Sequence, residues 1–182
     1  MVMYESILIP TDGSQKMESV VDQGLELAKQ NNATVHSLYV VDERAYLAIP
    51  DEERDHVRKT LEEDGQATTK AIEERILDAG LDVIREIRWG DPSAEILTYA
   101  VENEIDLIVM GTHGRTGYER YLLGSVAERV VRTAPIPVLT IAVGNIDKVI
   151  ANIQDRLRSE SAVEATETVS ETHDQIDELP DS

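Results

Sequence analysis

The chain has 182 residues, no cysteine, and 36 acidic against 17 basic side chains, for a net charge of −19. The missing cysteine excludes disulfides, thiolate catalysis and Cys-ligated zinc. So negative a surface repels nucleic acid and anionic membranes, since binding to either depends on Lys and Arg meeting phosphates.

The first residues, Met1 to Pro10, have no basic region, and their apolar run is too short for a secretory signal. No stretch reaches the roughly 20 apolar residues of a membrane span, so the expected location is the cytoplasm. Ser6–Ile9 is a short apolar run that reads as a buried strand ended by Pro10. Lys16 to Gln30 carries Val20, Val21, Leu25, Leu27 and Ala28 at roughly helical spacing, and Asn31-Asn32 breaks it. Thr34–Val41 is β-branched and apolar, a second strand. Residues 42–50 read as a loop ending in Pro50. A long polar helix then runs from Asp51 to about Ala79, with Val57, Leu61, Thr68, Ile72 and Ile76 along one stripe and Gly80 as its stop.

Val83–Arg88 is a third strand, less uniformly apolar than the others, as an edge strand is. Gly90-Asp91-Pro92-Ser93 reads as a turn into a helix over 94–103. Trp89, just before it, is expected to pack at a loop. Asp106–Met110 is a fourth strand and Gly111–Tyr118 a loop. Leu122–Arg132 is a helix with Val126, Val130 and Val131 on one side. After Pro135 and Pro137 comes the last strand, Val138–Val143. These elements assign 1–144 to one domain. Residues 145–182 form an acidic extension with 10 acids and 3 bases, a short helix over 147–158 and then a disordered stretch. That leaves −12 on residues 1–144, so the acidity is not confined to a tail. It suits a salt-rich interior, where screening shortens charge repulsion to roughly 3 Å at 1 M, and points to a halophilic source.

Strands alternating with helices imply a parallel sheet with right-handed crossovers and helices on both faces. Such sheets bind ligands beyond the carboxyl ends of their strands. That singles out Pro10-Thr11-Asp12, Val40-Val41-Asp42 and Met110-Gly111. After the fourth strand the chain reads V-M-G-T-H-G-R-T-G-Y-E-R-Y-L-L-G-S-V, with Gly111, Gly114 and Gly124-Ser125. Glycine admits close approach of a phosphate and positive φ. The N–H groups opening the helix at Ser125 offer donors to an anion, and the Ser125 hydroxyl can donate to phosphate or cap the helix. Arg115 is placed to reach a phosphate and offset local negative charge. The loop has no Gly-Lys-Ser/Thr, and no G-x-G-x-x-G follows the first strand, so neither nucleotide fingerprint applies. The glycines serve equally well in a reading where they only shape a long turn. His36, His56, His113 and His173 are scattered and make no zinc site. Tyr118 and Tyr121 read as packing under the loop.

Gly-x2-Gly-x9-Gly-Ser after a buried strand resembles the universal stress protein family. So do Ile7-Leu-Ile-Pro-Thr-Asp-Gly-Ser14, Gly90-Asp91-Pro92, Asp106-Leu-Ile-Val-Met-Gly111 and the terminal Pro-Val-Leu strand. The resemblance covers about residues 3–143, and with the salt adaptation the expected bearer is a halophilic archaeon. The fold expected is a three-layer, doubly wound α/β sandwich, Rossmann-like and of the adenine nucleotide alpha hydrolase type. Its five parallel strands run in the order 3-2-1-4-5. The intact glycine pattern implies the ATP-binding branch. By resemblance Pro10, Thr11 and Asp12 line ATP, ADP or AMP. Asp12 lies near the ribose or a Mg2+ or Mn2+ ion, and Val40 or Val41 meets adenine through its backbone. Met110 and Gly111 touch the ribose side; Gly114, Gly124, Ser125 and Val126 hold phosphates. The resemblance further implies a homodimer pairing through 138–143. The expected function is a ligand-dependent stress-response switch with slow or no hydrolysis. The alternatives are a dimeric interaction module without nucleotide and a weak metal-dependent ATPase using Asp12.

Overall fold

The computed structural model describes residues 4–113, 123–143 and Gln154. The chain divides into two units, Met1–Gly144 and Asn145–Ser182, and the described elements belong to the first. Of the expected 147–158 helix only Gln154 is described, and it is helical; the disordered acidic stretch lies outside the described residues.

Apolar residues at alternating positions build the centre of the sheet. In β1 (Ser6–Thr11), Ile7 and Ile9 enter one core and Leu8 the other. Successive strand side chains point to opposite faces, so a strand buried on both sides must be apolar throughout. In β4 (Leu107–Gly111), Leu107 and Val109 join the first core, Ile108 and Met110 the second. Helix α1 (Glu18–Asn31) packs Val20, Val21, Leu25 and Ala28 into the first core. Its last turn closes on Asn32 in the left-handed conformation, φ 53°, one of the few non-glycine residues that tolerates it. β2 (Thr34–Asp42) follows. Helix α3 (Asp51–Asp78) adds Ile72 and Ile76 to the same core. Helices α4 (Pro92–Glu102) and α5 (Ser125–Thr133) cover the other face with Ile96, Tyr99, Ala127 and Val130.

With β3 (Val83–Gly90) and β5 (Val138–Ile141), the strands form one parallel sheet in the order β3-β2-β1-β4-β5, between two helical layers. Ser6–Thr11 pairs in register with Thr34–Tyr39, and Val35–Asp42 with Val83–Gly90. The five-stranded, doubly wound fold and its order are those the sequence predicts, with β3 at an edge.

Several boundaries differ from expectation. Pro10 does not end β1, which runs on to Thr11 and stays paired with β2. The segment 42–50 is not all loop: α2 spans Glu43–Leu47, and the Asp42 side chain accepts the Arg44 N–H at 3.0 Å as its cap. The buried stripe of α3 passes through Gly65 and Thr69 rather than Thr68, since 65 and 69 share the helical face of Ile72 and Ile76; the buried Thr69 hydroxyl is satisfied by donating to the Gly65 carbonyl at 2.9 Å. β3 extends to Gly90, so Trp89 is a strand residue, stacked edge-on against Tyr46 at 5.2 Å. Helix α4 begins at Pro92, not 94, since Pro at the first helical position loses no N–H that the helix would use. Helix α5 begins at Ser125 rather than Leu122. Val131 faces outward, 45% exposed, while Ala127 is buried. β5 ends at Ile141, two residues before the expected Val143.

His36, within β2, is buried, 5% exposed, and its Nδ1 lies 2.9 Å from the Tyr99 hydroxyl. Arg88 stacks over the Tyr99 ring, 4.8 Å from its centre. Burial pushes Tyr99 up to about 12 and lowers His36 from its ordinary 6.5. A histidine lowered in the folded state protonates first in the unfolded chain. Its contribution to stability is therefore whole above pH 6.5 and is lost as pH falls from there through the lowered folded value. Urea midpoints measured between pH 8 and 5 are expected to fall below about pH 6.5 in the wild type and to flatten over that range in His36→Gln.

Candidate functional site

β1 has neighbours on both sides, and it keeps only one of them to its end. Its ladder with β2 runs through Pro10↔Leu38 and Thr11↔Tyr39, whereas that with β4 covers only Ile7↔Leu107 and Leu8↔Ile108. In a parallel strand alternate residues bond to alternate neighbours. The Glu5 carbonyl bonds toward β2 and the Ser6 carbonyl toward β4, so Pro10, an even position, faces β4. The N–H that proline lacks thus falls where β1 and β4 part. Past this point the chain after β1 turns toward α1 and the chain after β4 toward α5, on opposite faces.

The parting opens a cleft of about 700 Å³ at the carboxyl ends of the strands. Of the sequence-predicted residues, Pro10, Thr11, Asp12, Val40, Val41, Met110, Gly111, Gly124, Ser125 and Val126 all line it. Gly114 and Arg115 lie outside the described residues, as do Tyr118 and Tyr121. Leu38, Ile96 and Leu123 add apolar wall, and Leu61 of α3 reaches the rim. The sequence reading missed these because Leu38, Ile96 and Leu123 adjoin other apolar residues and Leu61 sits on the stripe of a polar helix, places that core packing already explains.

At the β1 end, Thr11-Asp12-Gly13-Ser14 is wound on itself. Gly13 adopts φ 74°, its N–H reaches Thr11 Oγ1 at 3.2 Å, and Asp12 Oδ1 accepts the Ser14 N–H at 2.9 Å. Asp12 Oδ2 and Ser14 Oγ are buried without a hydrogen-bond partner among the described residues. Buried polar atoms are nearly always satisfied, so an orphaned carboxylate oxygen on a cleft wall is an acceptor waiting for a donor or a cation. Among the described residues no group of three or more His, Asp or Glu is arranged to hold a metal on its own.

At the β4 end, the glycines work differently from expectation. Neither Gly111 nor Gly124 has positive φ; Gly124 sits at φ −72°, ψ 158°. Space is what requires them. A Cβ on Gly111 would lie 3.2 Å from the His113 carbonyl oxygen and from Val143, and one on Gly124 would lie 3.3 Å from the Thr112 carbonyl oxygen. Thr112 ties the region together: its carbonyl accepts the Gly124 N–H at 2.7 Å and its N–H donates to Ile141 at 2.9 Å. His113 Nδ1 lies 3.1 Å from the Thr112 hydroxyl. Ser125 does not cap α5. Gly124 is the cap residue, no side chain caps the helix, and the first intrahelical bond is Glu128 N–H to Gly124 O. The N–H groups of Ser125, Val126 and Ala127 therefore have no partner within the helix, and all three residues line the cleft.

The charges at the mouth were not legible as a site. Asp12, Asp42 and Glu128 are the lining acids, and no Lys or Arg is among the described lining residues. Beside them Asp91 caps α4, its Oδ1 accepting the N–H groups of Ser93 and Ala94 at 3.0 and 3.2 Å. Its Oδ2 lies 3.2 Å from Arg44 and 3.3 Å from Arg129. The hydrogen bonds from Ser93, the Ala94 N–H and the two guanidiniums hold the Asp91 carboxyl below its usual range. The Asp-Pro-Ser pattern announces the cap; nothing local announces the arginines, which come from 47 and 38 residues away.

An α/β sandwich with an open cleft at its switch point belongs to the class of doubly wound ligand-binding folds. Within that class the match is specific. The model of the universal stress protein family covers residues 3–142, and this chain belongs to that family. A universal stress protein of Methanocaldococcus jannaschii is 39% identical over 140 residues, spanning 76% of this chain and 82% of the relative. Among solved structures, the hypothetical protein MJ0577 is 33% identical with a TM-score of 0.72, over 79% of this chain and 99% of that one. A universal stress protein solved with cAMP shares the fold at 24% identity and TM-score 0.59, over 79% of this chain and all of that one. One from Archaeoglobus fulgidus solved with dAMP does so at 22% and 0.56, over 77% and 99%. No described helix is long and apolar enough to cross a membrane.

Asp91→Ala removes both cap and ion pairs and is expected to cost about 1–2 kcal/mol. Asp91→Asn, which caps as well as aspartate, is expected to lose less than half of that; urea unfolding of the two variants side by side checks the order.

Proposed function

We propose that the chain binds an adenine nucleotide in this cleft, ATP foremost, and works as a dimeric stress-response switch with slow or no hydrolysis. One observation carries the reading: the same cleft brings together the orphaned carboxylate oxygen of Asp12 and the uncapped N-terminus of α5, with apolar wall between them. A nucleotide has matching parts. Its ribose hydroxyls donate to a carboxylate, its base buries apolar surface beside Leu38, Val40 and Ile96, and its phosphates accept from free N–H groups at a positive helix end. The volume falls within the roughly 300–1,000 Å³ of small-ligand pockets. The cAMP and dAMP held by the two remoter relatives suggest the ligand class to test.

In this reading Pro10, Thr11 and Asp12 line the nucleotide, with Asp12 near the ribose or a metal, Val40 or Val41 offers a backbone group to the base, and Met110 and Gly111 line the ribose side. Gly124, Ser125 and Val126 receive phosphates, a role that Gly114 and Arg115 would share. A Mg2+ or Mn2+ ion would be shared between Asp12 and phosphate oxygens, since divalent ions of this kind need only one or two carboxylates when phosphates supply the rest. Its chemistry there is charge neutralisation. Among the described residues β5 is an edge strand paired only with β4, and Leu139 is 37% exposed, which supports pairing with a second copy.

Protein purified without added nucleotide, extracted and run on anion exchange, is expected to release ATP, ADP or AMP. Gly124→Val places a side chain where phosphates approach and leaves an ordinary backbone conformation. Calorimetry with Mg2+ and ATP is expected to show at least about a tenfold loss, near 1.4 kcal/mol, while melting in the absence of nucleotide falls modestly but stays cooperative, because a Cβ at this position crowds the Thr112 carbonyl. Affinity that survives this change, with no nucleotide released, would favour the interaction module whose glycine loop is only structural. Leu139→Lys at the β5 edge is expected to convert a dimer to a monomer by analytical ultracentrifugation; a wild type already sedimenting as a monomer would refute the pairing.

A further inference from the structure

The mouth of the cleft poses an electrostatic difficulty for any phosphate-bearing ligand. Its described lining carries Asp12, Asp42 and Glu128 and no Lys or Arg, in a chain of net charge −19. The partial charge of one helix end is about half an elementary charge. Two full positive charges stand immediately beside that lining. Arg44 belongs to α2, two residues beyond Asp42, and its Nε lies 3.2 Å from Asp42 Oδ1. Arg129 belongs to α5, next to Glu128. Both guanidiniums converge on a single oxygen, Asp91 Oδ2, at 3.2 and 3.3 Å, while Oδ1 is occupied with capping α4. Arg129 also donates to Ser93 Oγ at 3.2 Å.

We infer that Arg44 and Arg129, gathered by Asp91, form a guanidinium clasp whose remaining donors receive the anionic end of the nucleotide. This rests on the adenine-nucleotide reading above. A guanidinium has five donors; Arg44 gives Nε and Nη2 to Asp42 and sets Nη1 against Asp91, and Arg129 uses Nη1 on Asp91 and Ser93, so each keeps at least two. Both side chains are more than half exposed, at 64% and 60%, so the remaining donors face solvent and are available to phosphoryl oxygens, which guanidinium forks fit well. Asp91 is the positioning residue: it holds two arginines from different elements at one place, which lowers the cost of ordering them when a ligand arrives. α2 is the movable side. It is five residues long, and Tyr46, two residues beyond Arg44, packs on Trp89, the single tryptophan of the chain. A ligand that draws on Arg44 disturbs that ring contact, so Trp89 emission reports it.

The test is calorimetric titration of the full-length chain with ATP, ADP, AMP and adenosine, for wild type, Arg44→Gln, Arg129→Gln and Arg129→Lys. ATP affinity is expected to fall about threefold to tenfold with each Gln variant, the range between an exposed and a partly desolvated charged contact. The loss should shrink from ATP through ADP to AMP, leave adenosine unchanged, and be partly restored by Lys at 129. Trp89 emission is expected to shift with ATP but not with adenosine, and to lose that shift in Arg44→Gln. Equal losses for adenosine and ATP, or ATP affinity untouched in both Gln variants, would overturn the clasp while leaving nucleotide binding intact. A wild type that binds none of the four ligands would instead overturn the reading on which the clasp rests.

Discussion

β1 and β4 lie side by side for two residue pairs and then separate. Everything at the carboxyl end of the sheet depends on that separation. Had the ladder continued past Leu8 and Ile108, backbone bonds would fill the space that the cleft occupies. Pro10 contributes directly, because the one hydrogen bond it cannot donate is the one that would continue the pairing with β4. β2 holds the other side of β1 in register to Thr11, so the strand remains rigid while its partner leaves. The cleft is thus bounded by a firm wall on one side and by the start of α5 on the other.

The second constraint is closeness. Gly111 and Gly124 lie near Thr112 and His113 with no room for a Cβ without displacement, and this compactness aims the first N–H groups of α5 at the cleft. Had either glycine been needed for positive φ, an asparagine would have served in its place. Because the need is for space, a side chain of any kind must displace a neighbour. Gly13 is the position where conformation governs instead, in the turn that orients the Asp12 carboxylate.

Charge organises the mouth. A strongly acidic chain places three carboxylates along its cleft and balances them with arginines brought in from two other elements. Asp91 joins the local and the distant: one oxygen completes a helix, the other draws α2 and α5 together. A single carboxylate so employed links α2, α4 and α5 at the face where a ligand arrives.

The order of strands and helices, the two buried central strands, the β3 edge and the residues that follow β1, β2 and β4 were all legible in the sequence. They follow from local rules: period-two and helical patterns, and the placement of ligands at the carboxyl ends of a parallel sheet. Ten of the twelve expected lining residues meet in one cleft, and Gly114 and Arg115 lie beyond the described residues. The sequence alone misjudged Pro10 as a stop, because a proline ends a strand only when its missing N–H faces a paired neighbour, and which side it faces is a property of the sheet. It missed α2, whose five residues have too little periodicity to register. It misread the reason for the glycines, since crowding depends on atoms brought from elsewhere in the chain. It could not foresee Arg44 and Arg129 meeting at Asp91, because side chains 85 residues apart become neighbours only when three crossovers have folded them to one end of the sheet.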